Sequence, residues 1–99
     1  MTAVDPGARP RRRLGIWLRR RRGALQIGLG DVALELSDAA LVLFEGADGT
    51  RTVVDLAALL VAEYGIPDDE ALADATEFLT SMVADGLMVV GADGASAPA

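Results

Sequence analysis

The period of the apolar residues changes once along this chain, close to Leu36 and Ser37. That change limits the fold to strands first and helices after. In Ala24–Leu29 the apolar side chains alternate, so Leu25, Ile27 and Leu29 share one face of a strand. Val32, Leu34 and Leu36 repeat the pattern, and Gly30–Asp31 between the two runs is a two-residue hairpin signal. Leu14, Ile16 and Leu18 alternate more weakly, with Arg19–Gly23 as the following turn. The expectation is a three-stranded antiparallel meander at Leu14–Leu18, Ala24–Leu29 and Val32–Leu36, its third strand at an edge.

Beyond Ser37 the spacing becomes helical. Ser37 or Asp38 caps a first helix over Asp38–Glu45, whose apolar face carries Leu41, Val42 and Phe44 and which Gly46 ends. Thr52, with Asp55 three positions on, has the spacing of a capping box and opens a second helix over Val53–Tyr64, closed by Gly65. A third helix, Asp69–Asp85, carries Leu72, Ala75, Leu79, Met82 and Val83 as its stripe and stops at Gly86. Leu87–Val90 then return to the core. The predicted class is α+β, winged-helix-like, with three helices after the meander. Leu34, Leu36, Leu41, Phe44, Leu56, Leu60, Leu72, Leu79 and Leu87 should be buried together. Residues 1–13 read as a disordered basic arm, 14–90 as the folded domain and 91–99 as a flexible tail.

Composition narrows the chemistry. The 99 residues suffice for one small core, and the absence of Cys and His removes thiolate chemistry, imidazole acid–base catalysis and the usual zinc ligand sets. All nine basic residues are Arg, and the net charge of −6 hides an asymmetry: +7 over Met1–Gly23 against −13 over Ala24–Ala99. Acidic residues interrupt every long apolar stretch, and the apolar run among the arginines is too short for a secretory signal, so the expectation is cytoplasmic.

The arginine run from Arg9 to Arg22 admits four readings. It is a solvated face, a nucleic-acid contact in which Trp17 stacks one base, a membrane-adsorbing segment, or a device that attracts an acidic peptide. A DNA-reading helix is another matter. The third helix offers Asp68, Asp69, Glu70, Asp74, Glu77 and Asp85 and no basic or amide side chain, which phosphates would repel. Asp68–Asp69–Glu70 lack the spacing of a calcium loop and suit a helix N-terminus. The hydroxyls of Ser37, Thr50, Thr52, Tyr64, Thr76, Thr80 and Ser81 have no His or Lys to activate them, so no catalytic residue, metal or cofactor is expected.

From Ala24 to Val90 the wording resembles the PqqD-like family, also known as the recognition elements of ribosomally made, modified peptides. The matching pieces, in order, are Leu36-Ser37-Asp38-Ala39-Ala40, Asp48-Gly49-Thr50-Arg51-Thr52-Val53, Tyr64-Gly65, the helix segment from Asp74 to Met82 around Phe78-Leu79, and Gly86-Leu87-Met88. The Arg-rich arm and the Gly-containing first hairpin have no counterpart in the common pattern, which leaves the class of modified peptide open. The resemblance implies a stand-alone peptide holder, not an enzyme, that binds the leader of a precursor peptide and presents it to a modifying enzyme or leader peptidase in trans. The leader would add as a strand against the third strand, beside the last helix. On this chain that places the contacts at Val32, Ala33, Leu34, Glu35 and Leu36 and at Asp74, Glu77, Phe78 and Ser81, with Arg19, Arg20, Arg21 and Arg22 steering the peptide. With Ala33 and Glu35 on its outer side, the third strand equally suits a protected edge without a partner. The alternative from another class is a small nucleic-acid-binding protein that uses the arginine arm.

Overall fold

The structure, a computed structural model, describes residues 3–91. The elements in chain order are β1 (Arg9–Arg12), β2 (Trp17–Arg21), β3 (Ala24–Leu29), β4 (Val32–Leu36), α1 (Asp38–Gly46), α2 (Val53–Tyr64), α3 (Asp68–Ala84) and β5 (Met88–Gly91). A three-stranded antiparallel sheet in the order β2-β3-β4 is followed by three helices, as the change of period requires, and β1 and β5 form a separate antiparallel pair. The expected flexible tail, residues 91–99, lies outside the described residues except for Gly91.

Local chemistry accounts for the helices. The Ser37 hydroxyl accepts from the Ala40 N–H at 3.1 Å and opens α1. At the start of α2, Thr52 and Asp55 complete the reciprocal capping box, each side chain accepting from the other's N–H at 3.0 Å. Those bonds hold the Asp55 carboxyl below its ordinary pKa. Gly65, at φ 68°, takes the left-handed position that ends α2. Pro67 opens α3 without a side-chain cap, and Asp68, Asp69 and Glu70 face the positive end of its dipole instead. Ala71, Ala75, Leu79 and Met82 line the buried stripe of α3. Against them pack Leu56, Ala57 and Leu60 of α2, and Ile27 and Leu36 of the sheet complete the same core. Of the residues expected in the core, Leu36, Phe44, Leu56, Leu60, Leu79 and Leu87 are buried, while Leu34, Leu41 and Leu72 are half-buried against it.

Two expectations are corrected in the N-terminal part. The first strand of the meander is Trp17–Arg21, not Leu14–Leu18. Leu14 lies in a turn, 91% exposed, and Leu18 is 58% exposed. Arg19, Arg20 and Arg21 are therefore strand residues, and the turn is Arg22–Gly23 alone. Its φ values of 53° and 83° have the sign pattern of a type I′ hairpin and set the register Arg21↔Ala24. The Trp17 indole lies across Gly28, where any side chain would collide with it, and Arg19 stacks over the ring at 5.0 Å. Arg22 is the only described non-glycine residue with positive φ, a conformation that costs an L-residue about 1–2 kcal/mol. Arg22→Asn, which tolerates it better, should raise stability by about 1 kcal/mol. A lower midpoint in urea for that variant would mean the turn is not of this type.

The second correction concerns residues 1–13, expected as a disordered arm. Arg9–Arg12 form β1, paired with β5 from Arg9↔Gly91 to Arg12↔Met88, and Ala8 and Pro10 are buried. The reason is hydrogen bonding that neighbouring elements leave undone. The carbonyls of Pro6 and Ala8 accept from the Val54 and Val53 N–H groups at 3.2 and 3.0 Å, donors that the first turn of α2 cannot satisfy internally. Arg12 donates at 2.7 Å to the carbonyls of Phe44 and Glu45, at the C-terminal end of α1. Arg13 donates at 2.8 Å to the carbonyl of Gly86, just past α3. Cations there also meet the negative end of each helix dipole. Half of the basic run is therefore structural.

Candidate functional site

Two features lie side by side, a strand edge and a groove. Among the described residues β4 pairs only with β3, leaving its other side open. The two-residue connection Gly30–Asp31 makes Leu29↔Val32 a hydrogen-bonded pair, and pairs alternate from there, so Ile27↔Leu34 and Leu25↔Leu36 are bonded too. The N–H and C=O groups of Ala33 and Glu35 consequently point away from β3, along the open edge. Their side chains lie on the exposed outer face, while Val32, Leu34 and Leu36 turn toward the helices.

The groove begins where β4 ends. Its volume is about 770 Å³, and it runs between the N-terminal turn of α1, the α2–α3 corner and one face of α3. Leu43, Leu60, Ile66 and Phe78 give it apolar walls, and Tyr64, 44% exposed, stands at the rim. Asp38, Glu70, Asp74 and Glu77 bring four carboxylates to the same groove, and Ser37 and Ser81 bring two hydroxyls. Glu70, Asp74, Glu77 and Ser81 recur every three or four residues, as do Asp74, Phe78 and Ser81, so the helical repeat puts all five on one face of α3. The Tyr64 hydroxyl has its pKa raised above the ordinary 10.0, through desolvation first and then through the nearby carboxylates of Asp38 and Glu63.

All four α3 residues singled out from the sequence, Asp74, Glu77, Phe78 and Ser81, line the groove. Phe78 is half-buried, so its ring is shared between the groove and the core. The five β4 residues Val32, Ala33, Leu34, Glu35 and Leu36 do not line it. They form the adjoining edge, joined to the groove through Ser37. Tyr64 and Ile66 were missed. The turn at Gly65 brings Tyr64, the last residue of α2, and Ile66 to the groove.

Arg19, Arg20 and Arg21 lie on β2, the opposite edge of the sheet, about 10 Å from β4 at two strand spacings. Arg21 and Arg22 share a shallow depression with Gln26 and Glu35 on the outer face. The groove can bury apolar side chains, accept hydrogen bonds and hold positive charge. Among the described residues no group of three or more His, Cys, Asp or Glu could hold a metal ion, and no helix is long and apolar enough to cross a membrane.

Comparison with known proteins adds two findings. The sequence profile described as coenzyme PQQ synthesis protein D (PqqD) matches residues 25–88, which include all but the first residue of β3, then β4, all three helices and the start of β5. The fold is similar to the solution NMR structure of the PqqD truncation of Methylobacterium extorquens PqqCD, described as a functional and stand-alone recognition element for ribosomally synthesised and post-translationally modified peptides. The TM-score is 0.67 at 23% sequence identity, over 81% of this chain and 87% of that one. No curated protein sequence matches this chain.

Proposed function

Because this chain belongs to the PqqD family, we propose that it binds the leader of a ribosomally made precursor peptide and presents it to a modifying enzyme or leader peptidase acting in trans. The observation that carries this reading is the open β4 edge running directly into an apolar-walled groove. An extended leader satisfies the outward N–H and C=O groups of Ala33 and Glu35. Main-chain bonds of this kind supply affinity with little regard to sequence, and the groove adjoining the strand supplies selectivity. Phe78 is the anchor point: an incoming aromatic or leucine side chain packed on it buries about 150–250 Å². That burial amounts to roughly 4–6 kcal/mol before ordering costs are subtracted. Arg19–Arg22 act at longer range, attracting acidic parts of a peptide toward the sheet and speeding encounter more than they slow release.

Titration calorimetry with the precursor peptide encoded beside this gene tests the reading. Saturable one-to-one binding is expected, weakened about tenfold to a hundredfold by Phe78→Ala, measured at a temperature where the variant, which loses part of its core packing, is still folded. Absence of heat with the precursor, or equal affinity in the variant, would contradict it.

A further inference from the structure

Resting on that reading of the groove, we propose that the leader segment seated in it is cationic: a Lys- or Arg-bearing stretch flanking one apolar anchor. The apolar walls set the anchor, as argued above. The charge follows from how the chain distributes its ionic groups around the groove.

Four carboxylates line the cavity, and none of the described residues that line it is cationic. Asp38 and Glu70 sit in the first turns of α1 and α3, where the helix dipoles offset them. Asp74 and Glu77 lie further along α3, beyond that influence, flank Phe78 and pair with no arginine in any described salt bridge. Three of the arginines are engaged elsewhere. Arg12 and Arg13 hold the far ends of α1 and α3, and Arg51 bonds Asp48 at 3.2 Å. An acidic segment would bring like charge against Asp74 and Glu77 just where its anchor must approach Phe78. A basic one places its ammonium or guanidinium groups between the two carboxylates while the anchor packs below. Part of the surface near Arg21 and Arg22 carries the opposite sign, so the preference belongs to the groove and not to the molecule as a whole.

The test uses two fluorescein-labelled peptides of about twelve residues, long enough to pair with β4 and reach the groove. Both carry the same central Phe-x-x-Leu; one has Lys and the other Glu at the flanking positions. Fluorescence anisotropy against the full chain at about 0.15 M salt should show the Lys peptide binding about tenfold or more tighter. The ratio should fall toward one in the Asp74→Asn/Glu77→Gln variant and in about 1 M salt, where screening is nearly complete. Asp31→Asn/Asp85→Asn removes the same charge away from the groove and should leave the ratio unchanged. Equal affinity for the two peptides, or a ratio lost equally in both double variants, overturns the charge preference and leaves the groove standing. Binding of neither peptide, or affinity untouched by Phe78→Ala, overturns the groove itself and the preference with it. A dimer of the unliganded protein that the Lys peptide dissolves would seat a second copy's Arg19–Arg22 segment in the groove, and would overturn the assignment to a leader.

Discussion

A chain lacking residues 1–13 should lose its cooperative thermal transition, or melt more than about 15 °C below the full chain. The expectation follows from what the segment satisfies. Without it the Val53 and Val54 N–H groups lose the carbonyls of Ala8 and Pro6, and the carbonyls closing α1 and α3 lose Arg12 and Arg13. β5 loses its ladder, and the core loses Pro10 and Ala8. Each unmet polar group costs about 1–3 kcal/mol where water is excluded, against a total of about 5–15 kcal/mol for a typical domain. A milder probe separates the arginine from the strand. Arg12→Met removes the donors together with the guanidinium that lies 5.6 Å over the Phe44 ring, and should cost about 1.5–3 kcal/mol. A truncated chain that melts like the full one would restore residues 1–13 to a detachable arm. The same contacts mean that a nucleic-acid test by truncation would confuse unfolding with lost binding. Neutralising Arg19–Arg22 is the cleaner experiment.

Proline in β4 should divide the strand into two classes of position. Ala33→Pro and Glu35→Pro remove outward N–H groups, which the β3–β4 ladder does not use, and proline is tolerated at such edge positions. Both variants should stay folded, within a few degrees of the parent, and lose about a hundredfold or more in affinity for the precursor peptide. Leu34→Pro removes a ladder donor beside Ile27, a core residue with no exposed surface, and should unfold the domain. Undiminished binding in both edge variants would move the peptide away from β4. Unfolding in both would mean that the alternation of bonded pairs is offset by one residue.

What the sequence reveals here is mostly what is local. The β3–β4 hairpin announces itself through Gly30–Asp31 between two alternating runs. Ser37, Thr52 with Asp55, and Gly65 mark helix ends by side-chain and backbone chemistry within a few residues. β1 carries no such mark. Arg-Pro-Arg-Arg has no apolar alternation, its partner Met88–Gly91 lies at the other end of the domain, and backbone hydrogen bonds across that distance leave no pattern in the side chains. β2 was displaced for a related reason. Arg22 occupies a turn position where Asn or Gly is the usual signal, and four consecutive arginines read more readily as a loop than as a charged edge strand. The α3 half of the groove was legible because Asp74, Glu77, Phe78 and Ser81 share a helical face by spacing alone. The Tyr64–Ile66 wall was not, since it depends on the path of the chain through the corner between α2 and α3.

Amide hydrogen exchange, read residue by residue on the full chain with and without the precursor peptide, addresses strand addition at β4 most directly. Ala33 and Glu35, whose N–H groups face the open edge, should exchange rapidly alone and slow by about tenfold or more when peptide is bound. Leu34 and Leu36, already bonded to β3, should change little. Protection that appears instead at Leu18 and Arg20, the outward amides of β2, or saturable binding that leaves Ala33 and Glu35 exchanging as before, would contradict the account.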